Sequence, residues 1–121
     1  MSYKKLDVWI LARELVIEVH KLTMLLPKYE LYEGGSQLRR SSRSIKSNIV
    51  EGYGRKRYKN DFIKFLIYAL ASADETRDHI ETLLDIGTIK DESKINATIN
   101  KLEILGKKLN NLIRNVESWS K

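Results

Sequence analysis

Apolar residues recur along the chain at intervals of three and four, the period of a helix. Strict alternation, the mark of a half-buried strand, is absent over any useful length. Breaks at Pro27, Gly34-Gly35, Gly52 to Gly54 and Gly87 divide the pattern into four segments. In the first, Val8, Ala12, Leu15, Val16, Val19, Leu22, Thr23 and Leu26 lay one stripe along a helix of about 20 residues. Asp7 is placed to cap it, with Leu6 and Leu11 as a hydrophobic staple. Pro27 should end it, because proline lacks an amide hydrogen and disfavours helical geometry at the preceding residue.

The second segment has a thin stripe of small residues: Leu38, Ser41, Ser42, Ile45, Ile49 and Gly52. Ser36 is its expected cap, and the serines read as positions where a neighbouring backbone comes close rather than as nucleophiles. The third, opened by Asn60, carries Phe62, Phe65, Leu66, Ala69, Ala73, Thr76, Ile80 and Leu84, with Gly87 as its stop. The fourth, capped by Asp91, carries Ile95, Thr98, Ile99, Leu102, Leu105, Leu109, Leu112, Ile113 and Val116. Gly106 inside it costs about 1 kcal/mol against alanine unless a close contact needs it. Short links between amphipathic helices of similar length predict an all-α fold, an antiparallel up-down-up-down four-helix bundle forming a single domain over residues 1–121.

Composition narrows the class. The chain has 121 residues, a common size for one domain, and no cysteine. That excludes disulfides, thiolate metal sites and cysteine nucleophiles. With no long apolar run and no apolar signal core at the N-terminus, the expectation is a cytoplasmic protein without a membrane partner.

Charge is more informative by segment than in total. The net charge is +6, from 22 Lys or Arg and 16 Asp or Glu. Arg39, Arg40, Arg43, Lys46, Arg55, Lys56, Arg57 and Lys59 face a single acid, Glu51, within residues 39–59, so the excess positive charge sits on the second helix and the loop after it. That loop interleaves Tyr53 and Tyr58 with four cations and two glycines, the ingredients of a contact to RNA or single strands. It can equally be a solvated loop whose cations complement the C-terminal dipole of the helix, or a protein interface. Arg39, Arg43 and Lys46 follow offsets 0, 4 and 7, and Asp74, Asp78, Glu81 and Asp85 follow 0, 4, 7 and 11. In an antiparallel pair the two stripes either face each other or both face away. Pairing within one subunit is the structural expectation, and pairing between subunits is the next. Arg40, Ser44, Ser47 and Glu51 form a third stripe, placed opposite the core and facing solvent.

Catalytic constellations gain no support, and the expectation is a non-enzyme without a cofactor. His20 and His79 stand apart with no metal-ligand spacing. Gly52-x-Gly54 followed by Arg55-Lys56 lacks the phosphate-loop spacing and its supporting strand. The serines have no positioned base. Trp9 and Trp119, near the chain ends, read as bundle-end packing or subunit contact.

Gln37-Leu38-Arg39-Arg40-Ser41, Ser44-Ile45, Asn48-Ile49-Val50-Glu51-Gly52 and Gly54-Arg55 together resemble the signature of bundle proteins encoded in intervening sequences of bacterial 23S ribosomal RNA genes, the S23 ribosomal protein family. Leu6-Asp7-Val8-Trp9, Leu26-Pro27 and Phe65-Leu66 agree with its first and third helices. Two departures stand out: Tyr32-Glu33-Gly34-Gly35-Ser36 replaces the family's Tyr-Gly-Leu turn, and Ala71-Ser72 replaces a Gly-Ser. The resemblance implies a small non-catalytic bundle assembled as a ring-like homopentamer. It extends to the accessory protein of diversity-generating retroelements, which works with a reverse transcriptase and nucleic acid.

The leading expectation is therefore an oligomer that binds RNA or other nucleic acid. Arg55, Lys56, Arg57 and Lys59 are the candidate phosphate contacts, Tyr53 or Tyr58 the stacking residues, and Arg39, Arg40, Arg43 and Lys46 an extension of the surface. The alternative is an interaction scaffold whose cations serve subunit contacts or an acidic protein.

Overall fold

A computed structural model describes residues 2–120. Four long helices, α1 (Asp7–Thr23), α2 (Gly34–Gly54), α3 (Lys59–Asp85) and α4 (Glu92–Glu117), make up most of it, with no strand among the described residues. Each helix packs on the next, and α4 returns to α1, closing a bundle around one core. Neighbours run antiparallel, because contact positions fall on one helix as they rise on the other. Ser41 meets Thr76 and Ser44 meets Ser72 across α2 and α3. Arg77 meets Glu103 across α3 and α4, while Lys101 and Lys108 reach Glu14 and Asp7 across α4 and α1.

The predicted stripes supply the core. Leu15, Leu38, Ile45, Ile49, Phe62, Leu66, Ile80, Leu105 and Leu109 are fully buried, each removing enough apolar surface for about 1.5–3 kcal/mol. Val16, Phe65, Leu84, Ile99 and Leu112 lie at its edge, half-buried, and Leu83 rather than Leu84 closes the end of α3. The reason is the width of the apolar face, about 100°, which leaves flanking stripe positions at the rim.

Helix starts depart from the expected caps at three of four positions. Leu6, not Asp7, precedes α1, and Asp7 stands in its first turn, 3.5 Å from Lys108 Nζ. Ser36 lies inside α2, which begins two residues earlier because Glu30 Oε1 accepts from the Gly34 amide at 3.0 Å. A carboxylate at a helix N-terminus also complements the dipole. Asn60 lies inside α3, entered from Tyr58. Asp91 does cap α4, accepting from the Lys94 amide at 3.4 Å.

The stops follow backbone chemistry. Gly87 adopts φ +78°, and the Thr88 and Gly87 amides donate to Leu83 O and Leu84 O, the closing pattern that favours glycine. Helix α1 ends at Thr23, before Pro27, and buried Leu26 belongs to the link rather than the helix. Pro27 itself starts a single helical turn, Lys28–Leu31, by accepting two amide hydrogens at 2.9 Å.

Small residues allow α2 and α3 to approach closely. A Cβ at Gly52 would stand 3.0 Å from Phe65 Cβ and 3.3 Å from Phe62 O. The serines fill the same seam: Ser41 accepts from Thr76 at 2.9 Å, and the Ser44 and Ser72 hydroxyls share a hydrogen bond at 2.9 Å. Ser44 therefore sits against α3, with Asn48 Nδ2 donating to it at 3.1 Å, and not opposite the core. The apolar stripe of α2 does not by itself mark how far the contact with α3 extends around the helix.

Candidate nucleic-acid interface

The basic residues of α2 divide according to which neighbour they meet. Arg39 bends back over the link, where its Nη2 donates to Leu31 O at 3.1 Å and its Nη1 is buried beside Gly35. Lys46 lies on the flank facing α1, with its Nζ 6.0 Å from the centre of the Trp9 ring. Arg40 and Arg43 are exposed.

The expected pairing of Arg39, Arg43 and Lys46 with Asp74, Asp78, Glu81 and Asp85 does not form. Among the described residues, no ion pair joins the two stripes. Asp74 lines a cleft with Leu102 and Gly106 of α4, and Glu81 lies 3.8 Å from Arg77, which also holds Glu103 at 3.1 Å. Asp74 and Glu81 thus lie toward α4, whereas Lys46 faces α1, Arg43 solvent and Arg39 the link before α2. The two stripes face away from each other rather than toward each other.

The loop after α2 is built over the exposed end of the core. Arg55 reaches Glu51 at 3.6 Å and Asp61 at 3.7 Å, and its guanidinium lies 5.1 Å from the Phe65 ring centre. It is the one cation of the eight with an acidic partner among the described residues. Lys56 Nζ donates to Tyr53 Oη at 2.8 Å and sits over that ring. Tyr53 in turn packs edge-on against Phe62, with centroids 6.2 Å apart, so its ring is part of the core's rim. Arg57 is exposed, with its guanidinium 5.9 Å from the centre of the Tyr58 ring, and Tyr58 is 62% exposed. Lys59 Nζ donates to Trp119 O at 2.9 Å.

That last bond brings in a residue the basic segment gave no reason to include. Trp119 packs on Phe62, with centroids 5.8 Å apart, and its Nε1 donates to Asn115 Oδ1 at 3.0 Å. Its place 60 positions from Lys59 carries no local signal, since only the antiparallel return of α4 brings it here. Trp9 packs edge-on against Tyr3, so both tryptophans serve bundle-end packing.

His20 and His79 lie on different helices, and His79 stands 3.3 Å from Glu75 Oε2. No described helix is long and apolar enough to cross a membrane.

The profile of the 23S rRNA-intervening sequence protein family matches residues 4–111. The chain belongs to this family. Among solved structures, it is similar to a protein of unknown function from the S23 ribosomal protein family of Bacteroides thetaiotaomicron VPI-5482, at 27% identity and a TM-score of 0.79, covering 88% of this chain and 95% of that one. No curated protein matches. The family match spans α1 to α3 and most of α4, including the whole basic segment and the α2–α3 seam.

Proposed function

We propose that this member of the 23S rRNA-intervening sequence protein family binds RNA, or another nucleic acid, through the outer face of α2 and the loop that follows. One observation carries the reading: of the eight cations between Arg39 and Lys59, only Arg55 has an acidic partner among the described residues. The field of the segment is not cancelled within the chain, and an uncancelled cluster of cations attracts a polyanion. The contacts divide accordingly. Arg40, Arg43, Lys56 and Arg57 meet phosphates, Tyr58 offers a stacking face, and Lys46 and Lys59 add to the field. Arg39, Arg55 and Tyr53 hold the surface in shape.

Self-association belongs to the same reading. Ile10 and Ile17 of α1 and Met24 just after it are exposed at intervals of seven, a row that favours contact with a second copy. A homo-oligomer, in the pentameric form the family resemblance implies, repeats the basic segment and strengthens its field. The scaffold alternative, in which the loop recruits an acidic protein, draws on the same cations.

Replacing Arg40, Arg43, Lys56 and Arg57 with glutamine tests the assignment by fluorescence anisotropy on a labelled structured RNA. Affinity is expected to fall at least about tenfold at physiological salt, whereas Arg55→Gln costs less because Glu51 and Asp61 already neutralise that group. Equal binding by the fourfold variant and the parent would overturn the reading.

A further inference from the structure

The end of the bundle that carries the basic loop also holds a cleft of about 450 Å³. Its lining includes Tyr58 and Trp119 together with Lys56, Arg57, Lys59 and Asn60, and one acid, Asp61, which Arg55 holds at 3.7 Å. Trp119 is fixed by three contacts: Phe62, tilted against its ring at 53°, Asn115 on its Nε1, and Lys59 on its carbonyl. Even so, it remains 39% exposed, and Tyr58 is more open still. Aromatic surface held in place but left uncovered, inside a concave site with cations at its rim, is the arrangement that receives an unstacked base and its flanking phosphates. A duplex keeps its base faces inside the stack and offers such a site only phosphates.

We infer that this cleft takes an unpaired base of a single-stranded RNA, with Tyr58 and Trp119 as stacking surfaces and Lys56 and Arg57 on the adjacent phosphates. The inference rests on the nucleic-acid reading above and narrows it from any polyanion to exposed bases. It also moves the stacking role away from Tyr53, whose ring is spent on Phe62. Asn60, at the same rim, supplies an amide that can donate to or accept from a base edge.

The test is a fluorescence titration with a short oligoadenylate, a blunt RNA duplex of the same length and the corresponding oligodeoxyadenylate. In a Trp9→Phe background the emission reports Trp119 alone. Quenching by oligoadenylate is expected, with little change on adding duplex. Affinities of the variants are read instead by anisotropy of end-labelled oligonucleotides, which needs no tryptophan: Tyr58→Leu and Trp119→Leu should each weaken oligoadenylate binding about tenfold and leave duplex binding unchanged. The same loss with oligodeoxyadenylate extends the site to single-stranded DNA, whereas a preference for the ribose strand assigns it to RNA through the 2′-hydroxyl. Circular dichroism checks folding, and Tyr58→Leu, at an exposed position, keeps the test decisive if Trp119→Leu unfolds. Variants that bind the single strand like the parent overturn this inference and leave the broader reading intact. A parent that binds none of the three probes at low salt overturns both.

Discussion

A methyl group added at Gly52 meets Phe65 Cβ at 3.0 Å, Phe62 Cδ1 at 3.2 Å and the Phe62 carbonyl at 3.3 Å, and two of those three atoms cannot swing aside. The same methyl at Gly106 meets nothing within 4 Å. Both glycines are helical, so the entropic gain from alanine is similar and the packing term decides the sign. Gly52→Ala should destabilise the fold by about 1–3 kcal/mol through overpacking. Gly106→Ala should stabilise it by about 0.5–1 kcal/mol. Urea denaturation of the two variants beside the parent checks both, and a stabilised Gly52→Ala would show that α2 and α3 pack less closely than described. The contrast was half legible in the sequence. Gly52 lay on the apolar stripe and read as a close approach, while the space around Gly106 depends on residues of α3 that its own helix does not reveal.

Between helices, the principal charged clamp lies on the side away from the basic surface. Lys101 of α4 bridges Glu14, at 3.0 Å, and Glu18 of α1. Its pKa is raised above 10.5, chiefly by the hydrogen bond to Glu18. A raised lysine contributes stability that is complete below 10.5 and is lost as pH climbs through the raised value. Lys101→Met should therefore cost about 1 kcal/mol near neutral pH and remove part of the alkaline loss of stability, read as urea midpoints between pH ~9 and ~12. Asp91 runs the other way. Its pKa is lowered from 3.8, chiefly by the Ser93 hydroxyl, so its capping contribution is present above that value and disappears as pH falls through the lowered one. Asp91 was legible because a cap and its recipient amide lie three residues apart. The caps of α2 and α3 were not, because Glu30 reaches Gly34 from the preceding turn and Tyr58 enters α3 through backbone geometry alone. The expected pairing of the two charged stripes failed for a similar reason. Their offsets fix the flank of each helix, but the packing of α2 against α1 decides which flanks meet.

For the molecule as a whole, the core residues and the bundle followed from periodicity, since burial of one stripe per helix leaves few other arrangements. The candidate interface did not follow as completely. Sequence located the basic segment, but how each cation is held depended on neighbours outside its own helical stripe: Leu31 for Arg39, Asp61 for Arg55, and Trp119 for Lys59. The central claim is that the remaining cations hold a polyanion. It is tested most directly by measuring the affinity of the parent protein for a labelled structured RNA across a salt series, with oligomer mass determined in the same buffers. Four phosphate contacts predict that log K falls linearly with log salt with a slope of about −3 to −4, at constant mass. No binding at low salt, or an affinity independent of salt, would contradict it.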